Sequence, residues 1–142
     1  NSRLYFLNVQ RCVSRPDQKS AQKKVERWQK ISVEAAKQCG RGILPPVSPV
    51  TDFSVALRQA ASESTILFFY EGGGQSLQQC IDPSCKAYSI FIGPEGGFSE
   101  EEVQFALDLG AKKATLGPRI LRTETAPIAA LTAIMLTTGN MT

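Results

Sequence analysis

Two short segments carry the residues best suited to chemistry. Residues 91–99 read Phe-Ile-Gly-Pro-Glu-Gly-Gly-Phe-Ser, and residues 116–126 read Leu-Gly-Pro-Arg-Ile-Leu-Arg-Thr-Glu-Thr-Ala. Each begins at the end of a short apolar run and leads into a helical pattern, which is the strand–loop–helix order of α/β folds. In such folds, ligands bind at the carboxyl ends of parallel strands. The two segments therefore predict a ligand site built from neighbouring loops.

The first segment is rich in glycine. Gly93, Gly96 and Gly97 permit positive φ and let a ligand approach the backbone closely, and Pro94 stiffens the turn. The segment is neither a Walker loop nor a Gly-x-Gly-x-x-Gly fingerprint, and a tight connection without a ligand is the alternative. A third glycine run, residues 72–74, follows another apolar strand, and this coincidence favours a ligand site. We expect Gly93→Val to remove ligand binding while leaving the fold largely intact.

In the second segment, Arg119 and Arg122 flank the apolar pair Ile120 and Leu121, and residues 123–125 begin a helix. Hydroxyls and a carboxylate suit a helix start, so helix capping with solvated arginines is one interpretation. Capping does not explain an apolar pair between two arginines in a loop. A pocket floor flanked by side chains that face an anion explains it better.

The composition excludes several kinds of chemistry. The sequence has no histidine among its 142 residues, so it lacks a Ser-His-Asp triad, a Cys-His pair and the commonest general base. Its four cysteines have no zinc spacing and indicate reduced thiols in a cytoplasmic protein. No apolar run is long enough for a membrane span. We therefore expect no metal and no membrane contact, and chemistry from carboxylates, arginines, hydroxyls or a reactive cofactor.

Positive charge is concentrated at the start of the sequence. Residues 1–41 contain 10 Lys or Arg and 3 Asp or Glu, whereas the remaining residues contain 6 and 10. This asymmetry favours a polyanionic partner such as RNA, with a solvated helix face as the alternative. We expect the RNA affinity of this region to be weak, salt-sensitive and nearly independent of sequence.

The hydrophobic pattern alternates strand and helix. We predict strands at residues 4–7, 66–70, 88–92 and 113–116, and helices at 21–39, 53–61, 76–81, 100–109 and from the second segment to about 138. Val25, Trp28, Ile31, Ala35 and Cys39 are predicted to form the apolar face of the first long helix. Gly40 is expected to end that helix, and Ser99 with Glu102 to form a capping box. Repeated βα units predict an α/β fold, a parallel sheet with helices on both faces.

The motifs resemble one family, the RsmE-type ribosomal RNA (uracil-N3) methyltransferases of the SPOUT superfamily. That family has a G-P-E-G-G-F-[ST]-x-E-E motif, matched at residues 93–102, and an L-G-x-R-I-L-R-x-E-T-A motif, matched at residues 116–126. Residues 27–41 also fit the family segment that contains Arg-Trp and Glu-Ala. The resemblance extends from residue 5 to about residue 138.

This resemblance implies a SPOUT fold with a C-terminal trefoil knot and bound S-adenosylmethionine. The cofactor-binding residues that it implies are Leu67, Phe69, Glu71, Ile92, Gly93, Pro94, Gly96, Gly97, Leu116, Gly117, Arg119, Ile120, Leu121, Thr125 and Ala126. For catalysis it leaves Glu95 or Glu124 as the base and Arg122 or Arg119 as the anion stabiliser, with Arg122 preferred. A carboxylate at a helix start is usually structural, so the alternative for Glu124 is that it only fixes the loop.

The implied partners are small-subunit ribosomal RNA and a second copy of the chain, in the cytoplasm. The expected domain is a single methyltransferase domain, residues 1–142, which lacks the family's N-terminal β-barrel RNA-binding domain and its first strand and helix. Three functions follow: methylation of uridine N3 in 16S ribosomal RNA, cofactor binding with impaired catalysis, or a small α/β module that binds a nucleotide.

Overall fold

The computed structural model of the chain describes residues 7–8 and 17–141. The chain forms two compact units, one of residues 1–9 and 13–56, the first unit, and one of residues 10–12 and 57–142, the second unit. Of the strand predicted at residues 4–7, only Leu7 falls within the described residues.

The helices and strands largely follow the predicted pattern. The helices are α1 (Gln18–Gln38), α2 (Phe53–Glu63), α3 (Leu77–Cys80), α4 (Glu100–Asp108) and α5 (Ala126–Thr137). The strands are β1 (Leu7–Asn8), β2 (Thr51–Asp52), β3 (Thr65–Phe69), β4 (Gln75–Ser76), β5 (Tyr88–Ile92) and β6 (Lys112–Thr115). All five predicted helices are confirmed, each to within one turn at either end. Strands β2 and β4 were not predicted, because two residues are too few to show a period.

The first unit contains α1 and a two-stranded parallel sheet. Leu7 pairs with Thr51 and Asn8 with Asp52. Helix α1 begins where the Asp17 carboxylate accepts a hydrogen bond from the Ser20 amide at 2.7 Å. It ends at Gly40, whose φ of +70° suits glycine, and the expected cap is confirmed.

The buried face of α1 differs from the predicted one. Ile31 is 57% exposed, and Ala35 and Cys39 are exposed as well. The proline-containing segment after α1 accounts for this difference. Its Pro45 carbonyl accepts a hydrogen bond from the Ser32 hydroxyl at 2.8 Å, and its Val47 amide donates to the Gln29 side chain at 2.7 Å. Because of these hydrogen bonds, the Ser32 side of the helix packs against the rest of the first unit, and the Ile31 side does not.

The second unit contains a four-stranded parallel sheet in the order β4-β6-β3-β5. In β3, Leu67, Phe68 and their neighbour Ile66 are all buried, which requires cover on both faces because successive side chains alternate. Leu67 packs on one face in a cluster with residues of α3 and α5. Phe68 packs on the other face against Phe98, with ring centroids 4.3 Å apart. The predicted parallel sheet with covered faces is confirmed.

Candidate cofactor site at the strand ends

The sheet order brings three strand ends together. Strand β3 lies between β5 and β6, and its last residue, Phe69, pairs with Ile92 of β5 and Ala114 of β6. All these pairs are parallel, so the loops that leave the three strands start at the same edge. The chain crosses from β5 over β3 to reach β6, which creates the crevice where α/β sheets bind ligands.

The loop after β5, residues 93–98, is a tight turn. The Gly97 amide donates to the Pro94 carbonyl at 2.8 Å, and Gly97 has a φ of +69°. Phe98 then enters the core with 1% of its surface exposed. The capping box that starts α4 is confirmed: the Ser99 amide donates to Glu102 at 2.9 Å, and the Glu102 amide donates to the Ser99 hydroxyl at 3.2 Å.

Gly93 packs closely against the core residue Phe98. A Cβ atom built at Gly93 would lie 3.1 Å from two carbons of the Phe98 ring and 3.5 Å from the Gly97 carbonyl carbon. A side chain here would require the buried Phe98 ring to shift by a few tenths of an ångström. The expectation that the fold stays largely intact is still a prediction.

The loop after β6 is held at both ends. The Gly117 amide donates to the Thr115 hydroxyl at 3.2 Å, and Gly117 has a φ of +115°, which explains the glycine. At the far end, the Arg122 carbonyl accepts hydrogen bonds from the amides of Thr125 and Ala126, both at 2.9 Å. These bonds set the start of α5.

A long hydrogen bond joins this loop to the loop after β5. The Thr123 hydroxyl donates to the Gly93 carbonyl at 3.5 Å. Because the two residues belong to the two segments that the sequence singled out, this contact brings both motifs to one place.

The loop after β3, residues 70–74, passes close to β6. A Cβ at Gly74 would lie 2.6 Å from the Lys113 carbonyl oxygen, so only glycine allows this approach. The Tyr70 ring lies against Gly72, where any side chain would collide with it, and the Lys113 ammonium lies 5.3 Å from the ring centroid. Tyr70 is thus held between a backbone and a cation.

These three loops enclose a cavity of about 540 Å³, which is within the range for a cofactor-sized ligand. Phe69, Ile92, Leu116 and Leu121 give it apolar walls. The described residues that line it include two charged ones, Glu71 and Arg119, both exposed.

Most of the residues predicted to bind a cofactor line this cavity. They are Phe69, Glu71, Ile92, Gly93, Pro94, Gly97, Leu116, Gly117, Arg119, Ile120, Leu121 and Ala126. The other three lie outside its lining. Leu67 is fully buried in the core, Gly96 is exposed within the loop after β5, and Thr125 is the N-cap residue of α5.

Of the residues considered for catalysis, Arg119 lines the cavity, whereas Arg122, Glu95 and Glu124 do not. Arg122, Glu95 and Glu124 are exposed, each next to a lining residue along the chain or within two residues of one. Their roles stay predictions.

Several lining residues were not predicted as site residues. They are Tyr70, Gly73, Gly74, Phe98, Ala114, Thr115, Pro118 and Thr123. The 72–74 glycine run was a usable signal for Gly73 and Gly74, and Pro118 and Thr123 lie within the second motif. The other positions depend on tertiary packing.

Two further features concern the part of the chain that the structure describes, namely metal ligation and membrane insertion. No group of three or more Cys, Asp or Glu side chains there is arranged to hold a metal ion. None of the helices there combines the length and apolar character that crossing a bilayer requires.

A cofactor-sized cavity over the carboxyl ends of parallel strands defines an α/β domain of the ligand-binding class. Comparison with known families is more specific: residues 1–135 match the RNA methyltransferase domain. The chain belongs to this family, and its resemblance to the RsmE type is confirmed.

Curated relatives carry the name ribosomal RNA small subunit methyltransferase E. The Bacillus subtilis protein is 40% identical over 131 residues, which cover 87% of this chain and 51% of the relative. The protein from Buchnera aphidicola of Acyrthosiphon pisum is 35% identical over 118 residues, covering 82% and 46%. The chain thus spans about half the length of the curated relatives it matches.

Two solved structures agree with this assignment. The Neisseria gonorrhoeae ribosomal RNA small subunit methyltransferase E, bound to S-adenosylmethionine, gives a TM-score of 0.85 at 39% identity and covers 94% of this chain and 55% of its own. A Legionella pneumophila protein in complex with the same cofactor gives a TM-score of 0.87 at 30% identity, covering 95% and 55%.

Proposed function

We propose that this domain binds S-adenosylmethionine in the three-loop cavity and methylates uridine N3 of small-subunit ribosomal RNA. The observation that carries the proposal is the cavity itself, because both sequence motifs meet at it in a chain of the RNA methyltransferase family. Two structural neighbours that cover most of this chain hold the same cofactor. The proposed location is the cytoplasm, where ribosomal RNA is available.

The cavity lining suits the chemistry of this cofactor. Apolar walls from Phe69, Ile92 and Leu116 match the faces of an adenine ring, and glycine turns expose backbone groups for its polar edge. The amino-acid part of the cofactor carries one ammonium and one carboxylate. The lining offers one charge of each opposite sign, the Glu71 carboxylate and the Arg119 guanidinium.

The same charges argue against a nucleotide-phosphate module. A polyphosphate needs several cations or a nest of amides, and a carboxylate in its pocket is unfavourable. Glu71 lines this cavity and Arg119 is the one cation among the described lining residues. The two charges therefore favour S-adenosylmethionine over a nucleoside triphosphate.

The chemistry divides between the cofactor and the residues at the rim. When bound, S-adenosylmethionine supplies an electrophilic methyl group on its sulfonium. The protein must remove the uracil N3 proton and stabilise the anion that remains. Arg122, exposed beside the cavity, is proposed to stabilise this anion, and Glu95 or Glu124 to accept the proton.

A C-terminal knot and a homodimer are part of the proposal. Strand β6 lies between β3 and β4, although only residues 70–74 connect those two strands along the chain. This order supports threading of the C-terminal segment, as the SPOUT resemblance implies. Exposed apolar side chains on α5 support pairing of two chains.

The second candidate function is cofactor binding with impaired catalysis. It concerns the 142-residue polypeptide assayed by itself, which spans about half the length of the curated relatives. RNA recognition that depends on the rest of such a protein would leave the cofactor site intact but slow methyl transfer. We expect the isolated chain to methylate far more slowly than a full-length relative.

Calorimetry and methyl transfer test these alternatives together. We expect the chain to bind S-adenosylhomocysteine and not ATP, and to transfer a tritiated methyl group to small ribosomal subunits that lack the modification. Arg122→Ala should lower transfer about 100-fold, typical of losing one anion-stabilising donor, without changing cofactor affinity. Arg119→Ala should weaken cofactor binding about tenfold, as expected for one charged contact.

Lys86→Ala, an exposed cation outside the cavity, is the matched control. Binding of ATP but not of S-adenosylhomocysteine would refute the cofactor assignment. Cofactor binding without any transfer would support the impaired domain instead.

A further inference from the structure

A basic stripe runs along the exposed side of α1 in the first unit. It consists of Lys19, Lys23, Arg27, Lys30 and Lys37, all exposed. At about 100° per residue these five positions fall within an arc of about 80°. They extend over about 27 Å of helix at about 1.5 Å per residue. The stripe is therefore a line of positive charge along most of the helix, interrupted by Glu34 between Lys30 and Lys37.

The stripe lies opposite the buried side of the helix. Ala36 is buried, and Val25, Trp28 and Ser32 are half-buried, about half a turn away from the stripe. Because one side of α1 is already packed, the charges face solvent and remain available to a partner.

Few opposing charges neutralise the stripe. Glu34 pairs with Lys37 at 3.0 Å, an exposed contact of little energetic weight. Glu26 is the other carboxylate on this side of the helix. Lys19, Lys23, Arg27 and Lys30 make no ion pair with any residue that the structure describes.

We infer that the stripe binds the phosphate backbone of single-stranded RNA without reading its sequence. The inference rests on the proposed function, which identifies the polyanion as RNA. It adds the place on the chain where the RNA binds. Successive positions from Lys19 to Arg27 are about 6 Å apart along the helix axis, so several phosphates are contacted at once. Lysine and arginine contacts to phosphate position RNA and carry no sequence information.

An anionic membrane fits the stripe less well. A helix that binds a bilayer inserts its apolar face into the lipid. On α1, the apolar residues Val25 and Trp28 are half-buried on the Ser32 side, and that side holds the segment after the helix through the bonds from Ser32 to Pro45 and from Val47 to Gln29. The helix would have to break these bonds to insert.

The test compares two charge-neutralising double variants of the 142-residue chain. Lys23→Gln with Lys30→Gln removes two stripe charges, and Lys24→Gln with Lys86→Gln removes two exposed charges elsewhere. The probe is a single-stranded RNA without base-pairing, and binding is measured by fluorescence anisotropy as salt is varied. The slope of log K against log salt is negative, and each lost phosphate contact reduces its magnitude by about 0.7.

In the stripe variant, we expect the magnitude of that slope to fall by about 1.4. We expect its RNA affinity to fall about 25-fold at about 0.1 M salt. The control variant should leave both nearly unchanged. Equal effects of the two variants would overturn the inference, because net charge alone would then explain binding.

A gain-of-affinity variant guards against misfolding as an explanation. Glu26→Gln with Glu34→Gln removes the two carboxylates beside the stripe and releases Lys37. We expect tighter RNA binding, about fivefold at about 0.1 M salt, the effect of one added contact. If RNA affinity does not increase in this variant, the inference is contradicted. It is also contradicted if the variants of the stripe bind anionic phospholipid vesicles more tightly than they bind RNA.

Cofactor affinity separates this test from that of the proposed function. All these variants should bind S-adenosylhomocysteine like the unmodified chain, since none lies in the cavity lining. Loss of RNA binding with cofactor binding intact supports the stripe. A chain that binds RNA through the stripe but binds no cofactor refutes the proposed function alone.

Discussion

Gly93 shows that a glycine in a ligand loop can be required by the core. Its missing side chain makes room for Phe98, which lies against Phe68 in the centre of the second unit. Phe98 also lines the cavity. The packing of the core and the shape of the site therefore depend on the same position.

We predict that Gly93→Ala destabilises the protein by about 1–3 kcal/mol, the usual cost of overpacking a filled core. It should also weaken binding of S-adenosylhomocysteine, since the Phe98 ring must move. Urea denaturation gives the stability change. Gly42→Ala is the matched control, because a Cβ there meets nothing within 4 Å and its change should stay within about 0.5 kcal/mol. Equal stability of the two variants would disprove the assigned packing.

Two cysteines of the second unit differ in their environment. Cys85 lies 3.1 Å from the Thr65 hydroxyl, and this hydrogen bond lowers the pKa of the Cys85 thiol. Burial raises the pKa of the Cys80 thiol, and Lys112 offsets part of that effect. Cys80 is also fully buried.

We predict that iodoacetamide modifies Cys85 well before Cys80, because the thiolate is the reactive form. A lowered pKa means that the rate for Cys85 rises at lower pH than for an ordinary thiol. Thr65→Val removes the hydroxyl and should move this rise to higher pH. Mass spectrometry of partly alkylated protein follows each site. An unchanged pH profile in Thr65→Val would show that the hydrogen bond has no such effect.

At the scale of elements, local patterns predicted most of the second unit. The apolar runs predicted β3 and β5, and the capping box of Ser99 and Glu102 predicted the start of α4. Strand β4 escaped prediction because Gln75 and Ser76 are polar and exposed, and only pairing with β6 makes them a strand. The predicted face of α1 was right for Val25 and Trp28, which are half-buried, but wrong for Ile31, Ala35 and Cys39, because Gln29 and Ser32 bind the next segment.

Helix α5 is apolar on all sides, which is typical of a helix that is fully covered. Within one chain, however, Ile128 is 69% exposed and Leu131 is 52% exposed, and these residues share a side of the helix. A second copy of the chain would cover them, as the proposed homodimer requires.

We predict that Leu131→Lys converts the dimer to a monomer, since a lysine there would be desolvated at the interface. Sedimentation velocity measures the change. Ile43→Lys, which alters an apolar side chain of similar exposure in the first unit, should remain a dimer. A monomeric unmodified chain, or a dimeric Leu131→Lys, would contradict the assignment of α5 to the interface.

For the whole molecule, the fold class could be predicted from the sequence, but the strand order could not. The order β4-β6-β3-β5 depends on pairing between strands far apart in the chain, and no local pattern encodes it. The knot stays a proposal, which rests on the SPOUT resemblance and on the position of β6 between β3 and β4. The cavity was predicted in outline because glycine-bearing loops follow successive apolar strands, whereas the walls from Tyr70 and Phe98 depend on packing.

The most direct test of the central claim is an NMR titration of the isotopically labelled chain with S-adenosylhomocysteine. We predict that backbone amide shifts concentrate in residues 70–74, 93–97 and 116–121, the loops that line the cavity. Amides along the basic stripe of α1 should not shift. Saturating ligand that leaves the three loops unchanged, or shifts confined to other residues, would contradict the proposed cofactor site.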